Sequence, residues 1–270
     1  MTTLPPPRQI TGTAATASVY DQGAHLVAWT PDGAGPVLWC SEHTLLEEGV
    51  AIRGGVPICL PWFGPGRSGD RKPSHGPARI TPWRLVEEGP GTVTYAVTGA
   101  ELGVADLEAT YVVEAGERLT LSLTVANTGA DELTYEEALH AYLTVGDVRQ
   151  VTVEGLDRAS YVDKTDQGRT HRQEGPLRLT RETDRVYRSA CAVTVVDPVL
   201  GRRLRVAKTG SASTIVWNPW ADKAAQMSDL GDDEWTGMLC VEGGNVMADE
   251  ITLAPGDRHT LRYELEVLPL

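Results

Sequence analysis

Apolar and polar residues alternate over long stretches of this chain. In an extended run, Leu119, Leu121, Leu123 and Val125 fall on one side, with Thr120, Ser122 and Thr124 on the other. Leu261, Tyr263, Leu265 and Val267 alternate with Arg262, Glu264 and Glu266, and Leu204 and Val206 with Arg203 and Arg205. A period of two belongs to strands with one face buried and one polar. Turn formers separate these runs: Glu114-Ala-Gly-Glu117, Asn127-Thr-Gly129, Asp197-Pro-Val-Leu-Gly201 and Ala254-Pro-Gly-Asp257. Short strands at regular spacing with few helices predict an all-β fold, an antiparallel sandwich or barrel. Helical signals are confined to Ser41–Glu48, with Ser41 as a cap, and to Ala221–Met227 after Pro219.

Residues 49–83 break the pattern. Gly54-Gly-Val-Pro-Ile-Cys-Leu-Pro-Trp-Phe-Gly-Pro-Gly66 is dense in Gly and Pro, and a polar loop leads on to His75-Gly-Pro-Ala-Arg79. A long irregular segment with apolar and aromatic content inside a β domain predicts an ordered functional loop. No repeat, low-complexity tract or linker divides residues 1–270, so one domain is expected. The Pro triplet at 5–7 reads as an extended lead-in.

Charge narrows the functional classes. The chain has 24 Lys+Arg against 37 Asp+Glu, a net charge of −13. Such a balance opposes nucleic-acid binding, which needs a basic surface to displace counterions, and docking on an anionic membrane. No apolar run reaches the roughly 18 residues of a membrane helix, and no secretory leader is visible. Cys40, Cys59, Cys191 and Cys240 form no C-x-x-C pair and none sits at zinc spacing from a histidine, so reduced, mostly buried thiols and no metal site are expected. The composition fits a cytoplasmic protein. Phosphate-loop, dinucleotide, zinc-protease and serine-hydrolase motifs are absent, which leaves acid–base chemistry on side chains.

Several residues are candidates for it. If Glu132–Thr144 is one strand, Thr134, Glu136, Ala138, His140, Tyr142 and Thr144 share a face. His140 is then either a hydrogen-bonded structural histidine or a proton donor and acceptor near neutral pH. Glu242 ends an apolar run before Gly243 and Gly244, at a sheet edge or pointing into a cleft. Arg53 and Arg79 are solvated arginines or forked anion donors. Asp184 is a partner for Arg185 or an acceptor for substrate hydroxyls. Trp62, Trp217 and Trp220 are core residues or a platform for a sugar face.

Taken in order, Arg53-Gly-Gly-Val-Pro-Ile-Cys-Leu-Pro-Trp-Phe-Gly64, His75-Gly-Pro-Ala-Arg79, Glu137-Ala-Leu-His-Ala-Tyr142, Thr183-Asp-Arg-Val-Tyr187 and Cys240-Val-Glu-Gly-Gly-Asn245 span nearly the whole chain. This series resembles the aldose 1-epimerase superfamily and, within it, the glucose-6-phosphate 1-epimerase (D-hexose-6-phosphate mutarotase) group. The resemblance implies a galactose-mutarotase-like antiparallel β-sandwich, a supersandwich with very few short helices. It implies exchange of the α and β anomers of a hexose 6-phosphate without a cofactor. By motif match His140 is the general acid, Glu242 the general base and His75 a helper near the ring oxygen or a hydroxyl. Arg53 and Arg79 are the phosphate grips, Asp184 is a hydroxyl contact, and Ser74 adjoins them. Pro77 stands where an aromatic or large apolar residue is usual, Ser74 where Gln is frequent, and Ala141 and Leu143 where Thr and Phe are common.

Mutarotation needs a base at the C1 hydroxyl and an acid at the ring oxygen, each within about 3 Å of its proton partner. The expectation is an ionised Glu242 and a protonated His140, the latter favoured by Glu136 if the two are close. The same reaction on unphosphorylated aldoses and a non-catalytic carbohydrate-binding sandwich are the alternatives. A glycosidase would need paired carboxylates across the bond. A monomer acting on a small sugar is expected.

Overall fold

Arg118–Asn127 shows how the alternation becomes a sheet. Leu119, Leu121, Leu123 and Val125 are fully buried, while Ser122 and Thr124 stay partly in solvent. The strand bonds to Leu107–Ala115 on one side and Arg258–Pro269 on the other, with Leu123 opposite both Tyr111 and Leu261. The computed structural model describes residues 2–270. Two eight-stranded antiparallel sheets dominate it. One contains Arg118–Asn127 and ends at Arg84–Gly89 and Thr152–Glu154. The other runs from Arg169–Arg172 through Ser160–Asp163, Thr183–Arg188, Ser213–Asn218 and Met238–Asn245 to Glu137–Leu139 and Ile58–Cys59. A three-stranded sheet, Arg8–Thr11, Ala15–Tyr20 and His25–Pro31, and a two-stranded one, Leu133–Tyr135 with Ile251–Leu253, accompany them.

The two large sheets meet over one apolar core. Tyr263, fully buried in the first, donates its hydroxyl to the Val241 carbonyl of the second at 2.9 Å. In Met238–Asn245 the odd residues Leu239 and Val241 enter this core, and a Cβ on Gly243 would run into Lys208 and Tyr263. Alternation turns Cys240, Glu242 and Gly244 to the opposite, concave side, where Cys240 still packs within the apolar cluster.

Three expectations need correction. Ser41–Glu48 is not helical: Leu4 donates to the Leu46 carbonyl and Glu48 to that of Thr2, so the lead-in chain holds this segment as irregular, turn-containing backbone. Ser41 Oγ instead accepts from His43 N at 3.0 Å. Glu132–Thr144 is not one strand but three, Leu133–Tyr135, Glu137–Leu139 and Tyr142–Thr144. The first pairs with Ile251–Leu253; the other two pair with Met238–Asn245. His140 sits in the break between them, its amide turned to the Pro57 carbonyl. Consequently Glu136 does not join His140. Its carboxylate accepts from Phe63 N at 3.1 Å and Met247 N at 2.6 Å, tying two loops together. The second expected helix is present as Trp220–Ala224.

Candidate active site

Register assembles a cleft on the concave face. Antiparallel pairing sets Asp184 beside Trp217, Trp217 beside Cys240, and Cys240 beside Tyr142. The next row sets Val186 beside Ile215 and Ile215 beside Glu242. Because side chains alternate, both rows project to the same side. The loop of residues 60–80 closes one flank with Phe63, Ser74 and His75. Lys164, Lys223 and Arg53 rim the remainder. The enclosed cleft measures about 290 Å³. A wider groove of about 950 Å³ lies at Pro31–Pro36 and Val267–Pro269, and it contains no histidine or cysteine.

His140 Nε2 lies 3.3 Å from Glu242 Oε1 at the base of the cleft. The contact is close but misaligned: neither Glu242 oxygen, nor His140 Nδ1, makes a hydrogen bond. Burial dominates the electrostatics. It holds the Glu242 carboxyl well above the usual carboxylate range, with Asp184 adding to the rise and Lys164 opposing it. It holds the His140 imidazole well below its usual range, with His75, Arg79 and Arg53 pushing the same way. Both shifts favour the neutral pair, a carboxylic acid beside a neutral imidazole, over the expected ion pair. Both forms hold one proton, so moving it across the contact interconverts them without changing total charge.

His75 adopts φ 65°, in the left-handed region, and is followed by Gly76 at φ 76°. A Cβ on Gly76 would come within 2.0 Å of the Leu60 carbonyl oxygen, so only glycine lets the loop fold back this closely. The His75 ring stands edge-on to Phe63 and to His140, with centroids 4.7 and 5.5 Å away. Its Nδ1 accepts from Gly64 N at 3.3 Å and faces Cys59 Sγ at 3.3 Å, which leaves Nε2–H as the donor. Burial, then Arg79, Lys164 and Arg53, lower its pKa to about 3, so the ring is neutral.

Arg53 is fixed before any ligand arrives. Nε and Nη2 donate to Asp229 Oδ2 at 3.1 and 2.9 Å, and Nη1 donates to Tyr142 OH at 2.9 Å. The Tyr142 ring in turn stacks on His140, with centroids 4.8 Å apart. Lys164 Nζ lies 3.5 Å from Asp184 Oδ1 and 4.5 Å from the centre of the Phe63 ring. Burial raises the Asp184 pKa, and Lys164 opposes that rise. Lys223 comes from the Trp220–Ala224 helix and pairs with Glu182 at 3.1 Å.

Of the residues singled out from sequence, Arg53, Ser74, His75, His140, Asp184 and Glu242 all line this cleft. Arg79 does not; its Nη2 donates to the Ser74 carbonyl at 2.8 Å, one residue behind the wall. Trp217 lines the cleft, whereas Trp62 bonds the Pro73 carbonyl and Trp220 packs on Trp235. Sequence reasoning missed Lys164, Lys223 and Asp229. Lys164 and Asp229 lie in polar turn-rich stretches and Lys223 on a short helix, where nothing distinguishes them from solvated charges.

The sequence model of the family described as Aldose 1-epimerase matches residues 9–266. An Escherichia coli (strain K12) protein named "Putative glucose-6-phosphate 1-epimerase" is 35% identical over 233 residues, covering 84% of this chain and 78% of that one. A Salmonella typhimurium crystal structure described as a "putative mutarotase" superposes with a TM-score of 0.87 at 30% identity, covering 97% of this chain and 90% of that one. A galactose mutarotase-like protein from Lactobacillus casei shares the fold, with a TM-score of 0.76 at 15% identity over 97% and 99% of the two chains.

Proposed function

From the premise that this chain belongs to the aldose 1-epimerase family, we propose that it interconverts the α and β anomers of a hexose 6-phosphate, with His140 and Glu242 as its acid and base. The observation that carries this is the approach of His140 to Glu242 at 3.3 Å beneath a rim of three cationic side chains. In the working form the shared proton has moved to His140. Glu242 takes the proton from the C1 hydroxyl while His140 protonates the ring oxygen. The ring opens, C1–C2 turns, and closure on the other carbonyl face gives the other anomer. In the reverse direction the same two groups act in turn.

His75 donates from Nε2 to a sugar oxygen, Asp184 accepts from a hydroxyl, and Trp217 offers an apolar wall. Arg53 uses three of its five N–H groups on Asp229 and Tyr142, so two remain for phosphate. Lys164 and Lys223 supply further positive charge, and Arg79 supports the site through the Ser74 carbonyl. No helix among the described residues is long and apolar enough to cross a membrane. We place the enzyme in the cytoplasm, whose reducing poise suits its four free thiols.

Exchange of α- and β-glucose 6-phosphate, followed by NMR, tests the assignment. Glu242→Gln is expected to lower the enzymatic exchange rate by about 10²–10⁴-fold, the usual contribution of a positioned proton-transfer group. A folded variant with undiminished exchange removes Glu242 from the mechanism. Arg53→Ala is expected to raise KM for glucose 6-phosphate at least tenfold, about 1.5–3 kcal/mol for a hydrogen bond to a charged group. KM for glucose should move far less. Equal effects on both sugars would favour a site for unphosphorylated aldoses.

A further inference from the structure

Spacing along the chain shows no thiolate metal site, yet folding builds one set of suitable ligands. Cys240 and Glu242 are two residues apart on one strand and face the same side. His140 reaches them from the break opposite. Ligand atoms of His140, Cys240 and Glu242 all lie within 4.8 Å of one another, and all three residues are buried. We propose that these residues form a binding site for a soft divalent cation of the zinc type, occupying the ground that the sugar's C1 and ring oxygen would take.

Two independent observations support it. First, bonds from zinc to nitrogen, oxygen and sulfur of about 2.0–2.3 Å set tetrahedral ligand atoms roughly 3.3–3.7 Å apart. The His140–Glu242 separation of 3.3 Å already meets this, and Cys240, within 4.8 Å of both, needs to close by at most about 1.5 Å. Second, both Glu242 oxygens are buried without a hydrogen-bond partner, so this carboxylate can turn to a ligand without breaking a hydrogen bond. Imidazole, carboxylate and thiolate together suit zinc better than magnesium or calcium, which favour all-oxygen shells. A fourth, open position would face the cleft, as in a three-ligand zinc site. On binding, the Cys240 thiol and the His140–Glu242 pair each release a proton to solvent, leaving thiolate, carboxylate and neutral imidazole. Cys240 lies beneath the cleft wall and is not one of its lining residues, so the proton-transfer groups and the metal's sulfur ligand can be separated by mutation. The coordination stands on geometry alone; only its inhibitory consequence rests on the proposed anomer exchange.

The test uses the full chain carrying Cys191→Ser, which removes the exposed thiol. Cobalt chloride serves as the spectroscopic probe and zinc chloride as the inhibitor. Co²⁺ is expected to give a thiolate charge-transfer band and the d–d bands of four-coordinate cobalt, both bleached by excess Zn²⁺. Zn²⁺ is expected to suppress anomer exchange competitively with glucose 6-phosphate. Cys240→Ser should abolish the charge-transfer band and weaken zinc inhibition by about tenfold or more, at least the loss seen on removing supporting residues around a metal. Cys240→Ala serves as the second variant should the serine fail to fold. Absence of the thiolate band overturns the site, as does undiminished zinc inhibition in a folded Cys240 variant. A protein without anomer exchange that still shows the band overturns the catalytic reading and leaves the metal site standing.

Discussion

His140 and Glu242 share one proton in surroundings that penalise either charge, and this sets how activity should respond to pH. Adding a second proton charges a buried imidazole, and removing the only one charges a buried carboxylate; burial opposes both steps. With glucose as the substrate, because the phosphate of glucose 6-phosphate itself titrates at about pH 6, the acid limb of kcat/KM is therefore expected below about pH 6.5 and the alkaline limb above about pH 4.5, the ordinary imidazole and carboxyl values. An acid limb at or above about pH 6.5, or an alkaline limb at or below about pH 4.5, would show that one member titrates freely. Single residues also mark the limit of sequence reading. Glu242 and His140 could be singled out by their motifs, and both line the cleft. The effect assigned to Glu136 could not be foreseen, because the chain breaks at His140 and turns that carboxylate onto Phe63 N and Met247 N.

Within the strands, one glycine decides how near the acid and base can come. A Cβ on Gly244 would lie 2.7 Å from the Glu137 carbonyl oxygen and 2.9 Å from the Ala138 Cβ. Both belong to the segment that leads directly into His140. Gly244→Ala is expected to destabilise by about 1–3 kcal/mol, as overpacking does, and to push that segment away from Glu242. A displacement near 1 Å should slow anomer exchange by about 10²-fold. Urea unfolding with exchange measured on the same folded sample checks this; wild-type exchange would show that the pair tolerates the shift. Strand faces were legible in advance: alternation correctly separated Leu119, Leu121 and Leu123 from Ser122 and Thr124. Neighbours were not. The row Asp184, Trp217, Cys240, Tyr142 depends on which strands pair and in what register, and a period of two is silent on both. Lys164 and Lys223 stayed hidden for a related reason, since only tertiary contacts turn a surface lysine into a rim lysine.

Across the molecule, buried histidines couple stability to acid. His25 is 1% exposed, with Nε2 2.8 Å from the Gly54 carbonyl. Burial, the largest cause, lowers its pKa from 6.5 to about 4. The folded protein then keeps His25 neutral while the unfolded chain protonates it. Its contribution is complete above about pH 6.5 and declines as pH falls towards the folded value. The loss amounts to about 3 kcal/mol. The raised carboxyls Glu137, Asp184 and Glu242 act in the opposite sense, so the difference between wild type and His25→Asn isolates the effect. The variant should show a flatter fall in denaturant midpoint between about pH 6.5 and 4; parallel curves would show that His25 does not contribute. The proton-transfer pair is embedded in directly bonded strand segments, whereas the cations at the mouth arrive on separate excursions around Lys164 and Lys223. On the roles proposed above, Arg53 joins phosphate to the ring-opening pair through Tyr142, whereas Lys164 and Lys223 can be exchanged at the margin while that pair is inherited intact.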